Sequence, residues 1–161
     1  MPEINKILYA TDLSENARFA FSYAADLADR YDARISILYV MEEMNHTMES
    51  VVMDMVGDEK WAQLKAEKND YLTGKIKSRL EGFCRDMEAQ MDSCRFLVED
   101  IIIKKGNPTE EILDLSKAMG ADMIVLGSHG YNILRDSLIG GTARRVVRQS
   151  KTPVLVVRLP E

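Results

Sequence analysis

A chain of 161 residues has the size of one ordinary domain. With 46% hydrophobic and 29% charged residues, and no apolar run near the roughly 20 residues that span a bilayer, we expect a soluble protein without a membrane partner. The N-terminal residues 1–6 lack a signal-peptide pattern, which favours the cytoplasm. The net charge of −5 argues against nucleic acid as a partner.

The chain opens with the pattern of a buried strand followed by an amphipathic helix. Ile7–Ala10 is a short apolar run that stops at Thr11-Asp12, and Ser14 is a good N-cap. Apolar residues then recur at helical spacing as far as Tyr31. A second strand is predicted over Ile35–Val40.

The segment Met41–Asp58 is rich in methionine and acidic residues. We expect a long connection here, with room for a helical turn, and place a variable region at about 41–60. One interpretation is an insertion packed loosely on the domain edge, and the other is a lid or partner surface made adaptable by methionine.

A long helix is predicted next, because apolar residues from Trp61 to Met91 fall on one face, with Lys68 the polar exception. A strand follows over Val98–Lys105. Asn107-Pro108-Thr109-Glu110 is a strong helix start, and Gly120 is placed to end that helix in a left-handed conformation.

The remaining predicted elements are a strand over Asp122–Leu126, a helix from about Ala143 to Ser150 and a strand over Pro153–Val157. Apolar strands that alternate with amphipathic helices indicate an α/β fold with a mostly parallel sheet covered on both faces. We expect residues 1–161 to form a single domain.

In such a sheet, ligands bind beyond the carboxyl ends of the strands, where the strand order reverses. The most informative loop is Gly127-Ser128-His129-Gly130, which is followed nine residues later by Gly140, Gly141 and Thr142. Glycines let backbone N–H groups approach an anion, and a helix N-terminus adds favourable partial charge. Ser128 and Thr142 offer hydroxyls. The alternative is that these glycines serve only tight turns and a helix start.

Several other chemistries are excluded by the motifs. The chain has no GxxxxGK[ST] and no GxGxxG after a strand, so it is neither a P-loop NTPase nor a typical dinucleotide enzyme. Cys84, Cys94 and the two histidines lack zinc-site spacing, and we expect free thiols.

The sequence resembles the universal stress protein family along essentially its whole length. Residues 7–14 look like that family's opening strand and turn, and 153–158 look like its closing strand. Gly127-x2-Gly130-x9-Gly140 is similar to its ATP-binding signature, and Gly106-Asn107-Pro108 to the Gly-x-Pro before its third helix.

The resemblance implies a Rossmann-like fold, of the adenine nucleotide alpha hydrolase-like type, with an open five-stranded sheet in the order 3-2-1-4-5. It also implies a homodimer through the C-terminal strand 153–158. The implied cofactor is ATP, with Mg or Mn held by its phosphates. Adenine and ribose would lie near Ala10, Thr11, Asp12, Val40 and Met41, and ribose and phosphates near Gly127, Ser128, His129, Gly130, Tyr131, Asn132, Ile133, Gly140, Gly141, Thr142 and Ala143.

One residue departs from the family pattern, which puts Ser or Thr directly after the third glycine, where this chain has Gly141. A lost hydrogen bond to a charged group weakens binding by roughly 1.5–3 kcal/mol, or about 10- to 150-fold. We therefore expect ATP binding that is weaker than the pattern would otherwise give.

Single polar residues leave alternatives open. Asp12 suits either a ribose contact or a helix cap, and His129 either a phosphate contact or a polar loop position. Arg144 and Arg145 fit a solvated helix face or help with phosphate charge.

Two functions follow. The first is an ATP-binding regulatory module of the stress response with no efficient catalysis, and at most weak or partner-dependent ATP hydrolysis. The alternative is a dimeric interaction protein of the same fold that needs no nucleotide.

Overall fold

The computed structural model describes residues 1–43, 45–90, 98–129 and 139–160. The elements in chain order are β1 Lys6–Ala10, α1 Glu15–Tyr31, β2 Arg34–Met41, α2 His46–Val56, α3 Asp58–Gln90, β3 Val98–Lys105, α4 Pro108–Met119, β4 Met123–Gly127, α5 Gly141–Gln149 and β5 Val154–Val157.

The strands form a five-stranded sheet in the order β3-β2-β1-β4-β5, and every neighbouring pair is parallel. β1 lies at the centre, with Ile7 opposite both Ile35 of β2 and Met123 of β4. This confirms the α/β fold class and the strand order. The order reverses between β1 and β4, which fixes where a ligand crevice is expected.

Alternate residues of the central strands feed two separate cores, because successive side chains of a strand point to opposite faces. Ile7 and Tyr9 pack with Phe21 of α1 and Phe83 of α3 on one face. Leu8 and Ala10 pack on the other, against a set contributed by β2, α4, β4 and α5 that includes Leu38, Ile112, Ile124, Leu126, Ala143 and Val146.

The helix boundaries follow the capping residues. Ser14 is the N-cap of α1 and its hydroxyl accepts from Ala17 N at 3.2 Å. Asn107 is the N-cap of α4, where Oδ1 accepts from Glu110 N at 3.2 Å and Pro108 starts the helix. Gly120 ends α4 with φ 63°, the left-handed conformation predicted for it.

The main difference from the sequence prediction lies in residues 41–58. Met41 completes β2, and an 11-residue helix, α2, occupies most of what we expected to be a connection. Asn45 caps it through Oδ1, which accepts from Thr47 N. No residue of α2 is buried, so its apolar residues give no core stripe from which the helix could be predicted.

α3 confirms the predicted long helix, although only Leu80 and Phe83 of it are buried. Met91 and Cys94 lie outside the described residues. Among those described, no helix is both long and apolar enough to cross a membrane.

Candidate functional site

A cleft of about 540 Å³ lies at the carboxyl ends of β2, β1 and β4. This is the edge at which the strand order reverses, and the volume falls within the roughly 300–1,000 Å³ usual for ligand sites. Its walls come from the ends of these strands and from the first turns of α1, α4 and α5.

One side of the cleft is apolar. Leu38 and Val40 of β2 contribute to it, and Pro108 and Ile112 of α4 lie in the same lining. Ala10, at the end of β1, continues this surface. Such a wall suits a flat, weakly polar ring better than it suits a charged group.

Another part of the lining is the start of α5. Gly140 is its N-cap and makes no side-chain capping hydrogen bond, so the first amides of the helix are not satisfied by a side chain there. Gly140, Gly141 and Thr142 line the cleft, together with the exposed cation Arg145. An uncapped helix N-terminus with a neighbouring guanidinium favours an anion.

The turn after β1 also lines the cleft, through Thr11 and Asp12. Thr11 Oγ1 accepts from Leu13 N at 3.0 Å, and Asp12 Oδ1 accepts from Ser14 N at 2.9 Å. Leu13 has φ 63°, a left-handed conformation that is uncommon for a residue with a side chain. Asp12 thus braces the turn, while Ser14 provides the helix cap that Asp12 was considered for.

The loop after β4 is held by a buried side chain of α1. Asn16 Oδ1 accepts from His129 N at 2.7 Å and from the Ser128 hydroxyl at 3.3 Å, and Asn16 Nδ2 donates to Val157 O at 3.2 Å. Gly140 N donates to Ser128 O at 2.6 Å, which ties the start of α5 to the same loop.

Ser128 lines the cleft, and its hydroxyl is already hydrogen-bonded within the protein. Only 1% of the residue is exposed, and its Oγ lies 2.7 Å from His129 Nδ1 in addition to the Asn16 contact. The hydroxyl therefore stabilises the loop. His129 is half-buried and held through its backbone, in line with a polar loop position.

The structure brings most of the residues considered from sequence around the same cleft, namely Ala10, Thr11, Asp12, Val40, Gly127, Ser128, His129, Gly140, Gly141, Thr142 and Ala143. Met41 lines instead a second cavity of about 380 Å³ between β2, α2 and α3. Gly130, Tyr131, Asn132 and Ile133 lie outside the described residues.

Sequence reasoning missed two kinds of residue. Tyr39 and Ile112 line the cleft but carry no motif, because a helix start and a strand end look alike whether or not they face a ligand. Pro108 also lines it, although its motif indicated only a helix start. Asn16 was also missed. Its position directly before the apolar series of α1 was the one indication in the sequence that this polar side chain could be buried.

The lining of the second cavity includes an ion pair between Glu49 and Lys65. Glu49 of α2 meets Lys65 of α3, and Trp61 Nε1 donates to Glu49 Oε1 at 3.3 Å. These hydrogen bonds, that from Lys65 foremost, lower the pKa of Glu49. Lys68, the polar exception in the α3 series, lines this cavity.

An open parallel sheet with helices on both faces and a cleft at its switch point defines the Rossmann-like class of α/β proteins. The family model for the universal stress protein family matches residues 3–158. The chain belongs to the universal stress protein family.

Individual relatives agree with this assignment. Universal stress protein MJ0577 of Methanocaldococcus jannaschii is 30% identical over 157 residues, covering 95% of this chain and 94% of the relative. A solved structure of the hypothetical protein MJ0577 superposes with a TM-score of 0.76 at 29% identity, covering 98% of this chain and 97% of the other. Universal stress protein UspA from Lactobacillus plantarum gives 0.71 at 26% identity, with 97% and 99% covered.

Proposed function

We propose that this protein is an ATP-binding regulatory module of the stress response. The observation that carries the proposal is the pairing, in one cleft, of an apolar wall at Val40 and Ile112 with an uncapped helix N-terminus at Gly140 and Gly141. A nucleotide has the same division, with a flat base at one end and phosphates at the other.

The carboxylates Asp12 and Glu42 also line the cleft, and it is the start of α5 that has the features favouring phosphates. Backbone N–H groups at a helix N-terminus and the helix dipole both favour an anion, and Arg145 adds a full positive charge. Gly141 leaves the approach open, because a Cβ built there would meet no heavy atom within 4 Å.

Regulation is favoured over catalysis by the composition of the lining. Among the described lining residues the cations are limited to Arg145, and no lysine is present. Over the described parts of the chain, no cluster of three His, Cys, Asp or Glu side chains could hold a metal ion. A divalent cation would therefore come with the phosphates, and we expect hydrolysis to be slow or to depend on a partner.

The test is calorimetric titration of purified protein with Mg-ATP, using Thr142→Asp as the blocking variant. A carboxylate in the first turn of α5 stabilises the helix but repels phosphate, so this variant should fold at least as well and bind much more weakly. Thr142→Asn, of similar size and neutral, is the matched control.

Micromolar binding that is retained by Thr142→Asn and lost in Thr142→Asp would support the proposal. Binding that is equal in all three proteins would place the nucleotide elsewhere. Folded wild-type protein that binds no ATP at millimolar concentration would overturn the proposal.

We also propose that two copies pair through β5. This strand lies at one end of the sheet, and its apolar sequence Val154-Leu155-Val156-Val157 offers unpaired backbone groups along its outer side. Antiparallel pairing with its own copy would cover that edge with a symmetric interface.

A second candidate function is supported by α2. Met48, Val51 and Met55 form an exposed apolar stripe on a helix that buries none of its residues. Such a stripe suits a partner contact, and Gly141 removes one hydrogen bond expected for ATP. A nucleotide-independent interaction protein of the same fold is therefore the alternative if titration shows no binding.

A further inference from the structure

Asn16 is a buried polar side chain, 5% exposed, in the first turn of α1. Its two amide atoms serve two different parts of the protein. Oδ1 receives His129 N and the Ser128 hydroxyl from the loop after β4, and Nδ2 reaches Val157 O at the end of β5. The contact with Val157 spans 141 residues of sequence.

The partners leave only one orientation for the amide group. His129 N–H is a donor and therefore must face the oxygen of Asn16, while the Val157 carbonyl is an acceptor and must face the nitrogen. A flipped amide would oppose donor to donor and acceptor to acceptor. Aspartate, leucine or alanine at this position could not satisfy both ends.

Gly127 makes room for this side chain. A Cβ on Gly127 would lie 2.9 Å from Asn16 Oδ1 and 3.2 Å from the backbone nitrogen of Ala17. The first glycine of the loop therefore allows α1 to approach the end of β4. Gly127 also lines the cleft, so this packing role stands beside the phosphate approach expected from the sequence.

We propose that Asn16 is a positioning residue. Its Oδ1 holds the first residues of the loop after β4, and its Nδ2 holds the end of β5. Because Gly140 N bonds Ser128 O, the same side chain also holds the start of α5 in register with the loop. The importance of this geometry for nucleotide rests on the proposed function, but the positioning itself can be tested without ligand.

Two backbone amides report separately on the two ends of Asn16. The His129 amide donates to Asn16 Oδ1, and the Ser128 amide donates to Val157 O at 2.7 Å. Hydrogen exchange is measured by NMR on ligand-free wild-type protein, Asn16→Ala, Asn16→Asp and the control Asn45→Ala. Asn45 caps the exposed helix α2, so its loss matches the residue type but leaves the cleft untouched.

We expect Asn16→Ala to speed exchange of the His129 amide by about tenfold or more relative to core amides of β1 and β4. Asn16→Asp keeps the acceptor and should leave His129 protected, while its carboxylate repels the Val157 carbonyl and speeds exchange at Ser128. Unchanged His129 exchange in Asn16→Ala, or equal loss of protection in Asn16→Asp, would overturn the proposal.

If Asn16→Ala does not fold, Gly127→Ala provides a second route. Its Cβ would displace the Asn16 side chain, so fast exchange at His129 is expected with the asparagine still present, and normal exchange there would count against the proposal. Calorimetry with Mg-ATP separates the two proposals. Absent binding in wild-type protein refutes the ATP function, whereas the exchange results decide the role of Asn16 independently.

Discussion

Gly141 lies where a side-chain hydroxyl would strengthen the proposed phosphate site. It is the first residue of α5, and the space around its would-be Cβ is open. A serine there would add a hydroxyl beside the uncapped amides without steric conflict. The weakness that we expect in this protein thus comes from a missing donor and not from a blocked cleft.

We predict that Gly141→Ser tightens Mg-ATP binding by about tenfold, since a hydrogen bond to a charged group contributes roughly 1.5–3 kcal/mol. Calorimetric titration measures the change. Gly141→Ala is the control, because it adds the Cβ without the hydroxyl and should leave the affinity near that of the wild type. Equal tightening by both variants would attribute the effect to helix stabilisation instead.

Tyr9 provides a prediction about alkaline pH. It is fully buried in the core beside Phe21, where its hydroxyl donates to Ala17 O, and burial raises its pKa above the ordinary value of 10.0. The unfolded chain releases this proton at a lower pH than the folded protein does. The contribution of Tyr9 to stability is therefore complete below pH 10.0 and is lost as the pH rises toward its folded-state pKa.

Denaturant unfolding between pH 9 and 11.5 tests this expectation. Above about pH 10, the free energy of unfolding should fall with a contribution from Tyr9 of up to about 1.4 kcal/mol per pH unit. Tyr9→Phe should be less stable at neutral pH, because the Ala17 carbonyl loses its donor, but its curve should decline less steeply. Parallel curves for the two proteins would contradict the assignment to Tyr9.

At the scale of elements, α2 and α3 are joined by few contacts. No residue of α2 is buried. The described polar links between the two helices are the ion pair of Glu49 with Lys65 and the hydrogen bond from Trp61 to Glu49. These two contacts lower the pKa of Glu49 below its ordinary value of 4.5. The link between the helices is therefore present above pH 4.5 and weakens as Glu49 is protonated in acid.

Trp61 is the single tryptophan of the chain and reports on this link directly. We predict a change in its fluorescence as the pH falls through the range in which Glu49 titrates, without global unfolding. At neutral pH, Glu49→Gln should already show the Trp61 fluorescence that the wild type shows in acid, and this fluorescence should not change further as the pH falls. Glu59→Gln is the control, since Glu59 lies near Trp61 in the sequence but has no described hydrogen bond to it. A fluorescence transition that survives in Glu49→Gln would assign the signal to another group.

At the scale of the whole molecule, β5 is the edge strand through which we propose that two copies pair. Ile124 N donates to Pro153 O and Ser128 N to Val157 O, so the odd-numbered carbonyls of this strand face β4. The N–H and C=O of one residue in a parallel strand point to the same side, and Val154 and Val156 therefore present their backbone groups outward.

We predict that Val156→Pro converts the proposed dimer to a monomer, because it removes an outward N–H without touching the β4 ladder. Sedimentation velocity measures the oligomeric state, and circular dichroism checks that the sheet persists. Val156→Thr keeps the N–H and should remain a dimer. A folded Val156→Pro protein that still sediments as a dimer would direct attention to a different interface.

Much of the fold could be predicted from the sequence, because each strand is apolar enough to be recognised and α1 and α4 begin at the capping residues Ser14 and Asn107. The strand order came only from the family resemblance. α2 could not be predicted, since a helix that buries nothing lacks the periodic stripe on which such a prediction depends.

The candidate site was predictable in part. Glycines and strand ends indicated the cleft, but the partner of each side chain could not be read from spacing. Ser128 illustrates this limit, because its hydroxyl contacts Asn16, a residue 112 positions away in the sequence. Met41 shows another, since one step along β2 moves a side chain from one cavity to the next.

The hydrogen bond between Asn16 and Val157 also has a consequence for biosynthesis. A ribosome makes residue 157 long after residue 16, with 141 positions between them. While the chain is still being translated, α1 can form, yet its asparagine has no strand end to hold and the loop after β4 has no fixed entrance. The cleft is thus assembled among the last parts of the domain, and a nascent chain would be unable to bind the proposed nucleotide before this point of synthesis.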